Sequence, residues 1–79
     1  MDAFKRYKNL VGKSCIAEYA YDDFSIHVRL HDGMTYVYTF ASVGADNFLR
    51  MVELAKRGIG LNSFIMRNPV VRKGFQHKY

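Results

Sequence analysis

The last thirteen residues of the chain hold its densest group of side chains that could do chemistry. Residues 67–79 combine four basic side chains with two aromatic rings, those of Phe75 and Tyr79. Arginine and lysine neutralise phosphate groups, and aromatic rings stack on unpaired bases. The composition of this segment therefore predicts a surface that binds nucleic acid.

A catalytic alternative uses the same segment. Small basic ribonucleases can employ a histidine, a tyrosine and an arginine or lysine as acid, base and charge stabiliser. His77, Tyr79, Arg72 and Lys73 would supply such a cluster here. Because the pattern is loose, non-catalytic binding is the leading hypothesis, and a small ribonuclease toxin remains a further alternative.

The other reactive residue types do not form a recognisable site. His27 and His31 are four residues apart, but they fall in a predicted strand and its turn, where this spacing does not indicate a metal. Cys15 has no adjacent base that would activate it as a nucleophile, and we expect it to pack in a strand. We therefore expect neither a bound metal nor a cofactor.

Charge is distributed unevenly along the chain, whose net charge is +5. Residues 1–13 carry four basic and one acidic side chain, residues 14–55 two basic and six acidic, and residues 56–79 six basic and no acidic. A basic end of this kind is typical of proteins with a polyanionic partner, although it also occurs on plain solvated surfaces.

Length and composition favour one small cytoplasmic domain. With 79 residues, 49% hydrophobic and 24% charged, the sequence is typical of a single globular domain over residues 1–79. No apolar run could cross a bilayer, and no segment resembles an export signal. The single cysteine cannot form an internal disulfide, which favours a reducing cytoplasm. We expect the partner to be nucleic acid or a protein, not a membrane.

Three apolar runs predict a three-stranded antiparallel meander over residues 15–21, 24–30 and 34–40. The second run alternates strictly, and an Asp22-Asp23 turn precedes it. A three-residue loop ending in a left-handed Gly33 sets the register of the hairpin that follows. The predicted cross-strand pairs are Leu30–Met34, Val28–Tyr36, Ile26–Tyr38 and Phe24–Phe40. This register places those eight side chains on one face and leaves His27, Arg29, Thr35, Val37 and Thr39 on a solvated face.

Helices are predicted at three places in the chain. Residues 1–13 could form a short helix or an extension, with Asp2 as a cap and Gly12 at the end. A helix over residues 45–57, ending at Gly58, carries an apolar stripe that should cover the sheet. Residues 61–68 predict a short helix capped by Asn62 or Ser63 and closed by Pro69. For residues 70–79 the sequence leaves strand and loop equally open.

The run "TYVYTF", residues 35–40, places Tyr36, Tyr38 and Phe40 on the same side of its strand. Three aromatic rings in a row could form an exposed stacking platform. The hairpin register instead predicts that they face the helix stripe, with the tyrosine hydroxyls reaching the rim of the core. We interpret Tyr36 and Tyr38 as a structural motif.

The run "SIHVRLHDGMTYVYTFASV", the helix after it and "GLNSFIMRN" together resemble the KTSC family, over roughly residues 16–79. The family is named for a short domain at the C-terminus of some lysyl-tRNA synthetases, and it also occurs as free-standing small bacterial and phage proteins. Its mark, a central Tyr-x-Tyr, is matched by Tyr36 and Tyr38. The resemblance implies a KTSC-like core over residues 14–79 and, by association with the synthetase, an RNA partner.

These observations predict one α+β domain: a three-stranded antiparallel meander packed on one face by an α-helix, plus a short C-terminal helix. The leading function is non-catalytic binding of nucleic acid, RNA more than DNA. The alternative is a small phage-type protein inhibitor, similar to an anti-CRISPR, that acts by protein–protein binding. The candidate binding residues are Arg29, Lys56, Arg57, Arg67, Arg72, Lys73, Lys78 and His27.

Overall fold

The computed structural model describes residues 3–12 and 14–79, and these form a five-stranded antiparallel sheet with helices on one face. The strands, in their order across the sheet, are β1 (Lys5–Arg6), β2 (Ile16–Tyr21), β3 (Ser25–Leu30), β4 (Thr35–Thr39) and β5 (Phe75–Lys78). The helices are α1 (Phe40–Val43), α2 (Ala45–Arg57), α3 (Leu61–Arg67) and α4 (Pro69–Lys73). The α+β class is confirmed, but the sheet contains two strands more than the predicted three-stranded meander, and α1 and α4 were not predicted.

The β3–β4 hairpin has the predicted register. Ile26 pairs with Tyr38 and Val28 with Tyr36. Gly33 adopts a φ of 93° and its amide donates to the carbonyl of Leu30, which closes the three-residue loop. The alternation of apolar residues and the left-handed glycine therefore determine this register together.

Helix α2 also begins and ends where the sequence predicts, at Ala45 and Arg57. Its buried stripe of Phe48, Met51, Leu54 and Ala55 packs on the sheet face that carries Ile26 and the other β3–β4 apolar residues. Gly58 follows in the left-handed conformation, and its amide donates to the carbonyls of Leu54 and Ala55. Packing of this stripe, more than helix propensity, stabilises the helix.

Of the helix and the extension that the sequence left open for residues 1–13, the described residues 3–12 form no helix. Lys5 and Arg6 form strand β1 against Tyr19 and Glu18 of β2. Tyr7 is buried, and its hydroxyl accepts a hydrogen bond from the amide of Leu61 at the start of α3. The pairing of Lys5 and Arg6 with β2 and the burial of Tyr7 hold this segment in an extended conformation, so it does not form a helix. The proposed cap, Asp2, lies outside the described residues.

The C-terminal quarter contains more regular structure than predicted. Helix α3 ends at Arg67, and Asn68 is extended as expected before a proline, but neither Asn62 nor Ser63 caps the helix, whose N-cap is Gly60. Pro69 then begins α4, because its fixed φ suits the first helical position. The segment after Gly74 returns to the sheet as β5, an edge strand beside β4.

The two faces of the sheet are less distinct than predicted. On the supposedly solvated face, Thr35 and Val37 are only 1% and 6% exposed. Each lies in the ladder between larger side chains of the neighbouring strands, such as Arg29 beside Thr35 and His77 beside Val37. On the apolar face, Phe24 lies just before β3 and is 73% exposed. Phe40 begins α1 directly after β4 and is 42% exposed, although its ring lies 5.8 Å from that of Phe48 of α2.

Candidate nucleic-acid interface

All six basic residues of the segment 56–79 are solvent-exposed. They lie at the ends of three helices and on the edge strand: Lys56 and Arg57 on α2, Arg67 on α3, Arg72 and Lys73 on α4, and Lys78 on β5. Among residues 3–12 and 14–79 the ion pairs are Arg29–Glu18 and Arg50–Glu53, and neither involves these six side chains. Their charge therefore has no acidic partner among the described residues, although the helix dipoles favour those at helix ends and the ammonium groups of Lys56 and Lys78 lie near the rings of Tyr21 and Tyr36.

A second basic group lies where the N-terminal segment meets the end of α2. The Nζ atoms of Lys5 and Lys56 are 5.7 and 5.1 Å from the ring centroid of Tyr21. Lys8 lies against Gly58, immediately after Arg57. Lys5 and Lys8 were not among the site residues predicted from the sequence, since only the fold places Lys5 at the same ring as Lys56 and Lys8 against Gly58.

The side chain of Arg29 contacts other residues of the protein and is not free in solvent. Its guanidinium lies 3.7 Å from the ring centroid of Phe4, donates to Glu18 at 3.0 Å and approaches the hydroxyl of Thr35 at 3.4 Å. These contacts order the solvated face, and Arg29 would have to exchange them for phosphate contacts on binding. Of the predicted basic residues it is the one with an internal ion pair.

His27 is half-buried between two aromatic rings on the same face. The rings of Phe4 and Tyr79 each lie 6.2 Å from it, and both are close to perpendicular to it. Burial lowers the pKa of His27, although the carboxylate of Asp22 acts in the opposite direction. The protein thus favours the neutral imidazole, which limits the contribution of His27 to a phosphate-binding surface.

The residues of the ribonuclease hypothesis are not brought to one place. His77 pairs with Val37 and Tyr79 with Thr35, so both lie on the solvated face of the sheet. Arg72 lines a cleft on the helix-covered face together with Tyr36 and other residues. The sheet itself therefore separates the histidine and tyrosine from the arginine.

The cleft beside Arg72 is a feature that sequence reasoning did not anticipate. It has a volume of about 280 Å³ and lies between the sheet and the α3–α4 layer. Tyr36 and Tyr38, interpreted from sequence as core residues, line it together with Cys15 and Asn62. Tyr38 is buried and Tyr36 half-buried, so the Tyr-x-Tyr motif serves both the core and this cleft.

Tyr38 stays protonated in the cleft. Burial, with smaller effects from Tyr36 and Cys15, raises the pKa of its hydroxyl to about 12. The thiol of Cys15 is exposed and donates to the Oδ1 atom of Asn62 over 3.5 Å. The cleft therefore offers hydroxyl, thiol and amide groups for hydrogen bonding beside apolar side chains.

Within the described residues, no group of three or more His, Cys, Asp or Glu side chains could hold a metal ion. No helix of residues 3–12 and 14–79 has the length and apolarity needed to cross a bilayer. No known family model, curated protein or solved structure matches the chain.

Proposed function

We propose that the protein is a non-catalytic module that binds nucleic acid, RNA more than DNA, through its basic ends. The observation that carries this proposal is the absence of internal ion pairs for all six exposed basic residues of the segment 56–79 among the described residues. Cations without an internal ion pair gain most from a polyanion, because binding releases the counterions condensed on it.

Two basic groups would share the work of binding phosphates. The C-terminal basic group comprises Arg67, Arg72, Lys73 and Lys78, and the N-terminal basic group comprises Lys5, Lys8, Lys56 and Arg57. Phosphates in contact with these side chains would fix the position of the strand without reading its sequence. The resemblance to the KTSC family favours RNA by association, and the free, exposed Cys15 suits a reducing cytoplasm.

Fluorescence anisotropy of a labelled single-stranded RNA, measured over a series of salt concentrations, tests the proposal. We expect Arg72→Ala combined with Lys73→Ala to weaken binding and to reduce the slope of log K against log salt by roughly 0.7 per lost phosphate contact. A single-stranded DNA of the same sequence should bind more weakly. Binding that is absent at moderate salt, or insensitive to salt, would show that the proposal is wrong.

A matched control comes from two single variants. Arg72→Ala and Arg50→Ala each remove one exposed arginine from a helix, but the guanidinium of Arg50 already pairs with Glu53. The two variants change net charge equally, so a location-specific site predicts a larger loss for Arg72→Ala. Equal losses would indicate only a general effect of net charge.

One observation favours the alternative of a small protein inhibitor. Phe24 is largely exposed and Phe40 partly exposed, and the two are adjacent, since the amide of Phe40 donates to the carbonyl of Phe24. Adjacent exposed aromatic side chains are typical of protein-binding anchors. Partners that remain bound after nuclease treatment of a host lysate, and are lost in Phe24→Ser, would support a phage-type inhibitor instead of an RNA-binding module.

The ribonuclease alternative makes a separate prediction. Labelled RNA incubated with the protein should stay intact if binding is non-catalytic. Cleavage that disappears in His77→Ala would require His77 to act from the solvated face of the sheet, and it would replace the proposal of a binding module with that of an enzyme.

A further inference from the structure

We propose that the cleft between the sheet and the α3–α4 layer holds one unstacked base of a bound RNA, with the adjoining phosphate on Arg72. This inference rests on the proposed function and adds a base-binding subsite to it. It also gives the Tyr-x-Tyr motif, which lies between the core and the cleft, a part in binding.

The chemistry of the cleft matches an aromatic ring with polar edges. Apolar side chains including Val28 and Leu30 line it, and Tyr36 meets Phe75 edge-to-face at a centroid distance of 5.1 Å. Splayed bases of single-stranded RNA stack on aromatic side chains and form hydrogen bonds along their edges. At about 280 Å³ the cleft is near the lower limit of small-molecule sites, so it suits one base better than a larger ligand.

The charge around the cleft selects an anion. Arg72 is part of the lining, which contains no aspartate or glutamate among the described residues. Lys78 lies beside the cleft, with its Nζ atom 5.9 Å from the ring centroid of Tyr36. A nucleotide with a 5′- or 3′-phosphate combines apolar, polar and negative parts, for each of which the cleft has a complement.

Polar groups for the base edge come from separate elements of the fold. Tyr38 of β4 keeps its hydroxyl proton, and Asn62 of α3 contributes an amide. Cys15, just before β2, also lines the cleft beside Asn62 and is exposed to solvent. A base in the cleft would therefore cover the only thiol of the chain.

That thiol provides the test in the unmodified protein. We measure the rate of Cys15 alkylation by N-ethylmaleimide, by mass spectrometry, with labelled single-stranded RNA, with inorganic polyphosphate and with no addition. At an RNA concentration about ten times Kd, a filled cleft should slow alkylation about tenfold. Polyphosphate neutralises the basic groups but has no base, so it should leave the rate near that of the free protein.

A second readout uses a variant that fills the cleft and keeps every charge. Cys15→Trp places an indole at an exposed position of the lining, and Leu49→Trp places the same group on the exposed outer side of α2. We expect Cys15→Trp alone to weaken RNA binding, by roughly 5- to 150-fold for the loss of one stacked base, with an unchanged salt slope. Thermal unfolding checks that both variants fold.

The outcomes separate this inference from the proposed function. In one outcome, anisotropy shows that RNA binds while Cys15 is alkylated as fast with RNA as with polyphosphate. That result would overturn the base subsite and leave the binding function in place. If RNA does not bind, the proposed function is wrong. The alkylation rate of Cys15 with uridine monophosphate then tests whether the cleft binds a nucleotide. Protection of Cys15 by this nucleotide would support a free-nucleotide site, and no protection would remove the inference entirely.

Discussion

The Nδ1 atom of His27 lies 3.1 Å from the hydroxyl oxygen of Tyr79, which is 52 residues further along the chain. Tyr79 also exchanges backbone hydrogen bonds with Thr35 at the edge of β4. The end of the chain is thereby connected to both strands of the central hairpin. His27 and Tyr79, both predicted from the sequence to lie on an open surface, contact each other and order the solvated face of the sheet.

The lowered pKa of His27 predicts a dependence of stability on pH. Since the folded state holds this imidazole neutral, the unfolded chain binds more protons as pH falls below the ordinary histidine value of 6.5. The free energy of unfolding should therefore be highest above this value and decline as pH falls through it. Urea unfolding at several pH values measures the decline.

Two variants attribute that decline to His27. His27→Gln removes the titrating group, and its unfolding free energy should vary less with pH than that of the wild type over the same range. Tyr79→Phe removes only the hydroxyl and should keep the pH dependence, because burial is the main cause of the lowered pKa. An unchanged pH dependence in His27→Gln would refute this explanation.

Gly58, which follows α2, is predicted to be essential for stability, because any side chain there would strain the backbone and clash with Lys8. Its φ is +75°, and an added Cβ would lie 2.4 Å from the Cβ of Lys8. Gly33 provides a matched control, with a φ of +93° and no atom within 4 Å of an added Cβ. Gly33→Ala should cost about 1–2 kcal/mol for the left-handed backbone, and Gly58→Ala about 1–3 kcal/mol more for the clash. Equal losses in urea unfolding would mean that the N-terminal segment moves freely away from α2.

Tyr7 is predicted to anchor the N-terminal segment through its hydroxyl. Tyr7→Phe leaves the buried amide of Leu61 without its 3.3 Å acceptor and should lower the free energy of unfolding by about 1 kcal/mol. Tyr21→Phe, at a half-buried position on the same sheet face, should change it by no more than about 0.5 kcal/mol. A loss for Tyr7→Phe as small as that of Tyr21→Phe would assign the anchoring to ring burial alone.

Local signals explain which parts of the fold were predictable. The β3–β4 register follows from strict alternation and one left-handed glycine, and α2 follows from an apolar stripe ending at Gly58. Strand β5 carries no such signal, because all four of its residues are exposed and its place depends on the path of α3 and α4. Helix α1 is only four residues long, and its capping box uses Thr39 and Ser42 instead of an acidic residue.

The candidate site was less predictable, because the residues that form it are distant in sequence and no local signal connects them. The sequence identifies basic residues by type, but it does not show that Lys5 and Lys56 adjoin the same tyrosine ring. The cleft combines Cys15 with residues of β4, α3 and α4 that are distant in sequence. Such a space arises only where elements pack incompletely, and no pattern in one element records it.

Asn68 is predicted to hold α4 in place, and with it Arg72 and Lys73. Its Oδ1 atom accepts hydrogen bonds from the amides of Val70 and Val71, and its Nδ2 atom donates to Asn47 over 3.0 Å. Asn68→Ala removes both functions and should lower the free energy of unfolding by about 1–2 kcal/mol. Asn68→Asp keeps the cap oxygen but cannot donate, so it should retain most of the stability. If Asn68→Asp is as unstable as Asn68→Ala in urea unfolding, the contact with Asn47 is the important one and the cap is not.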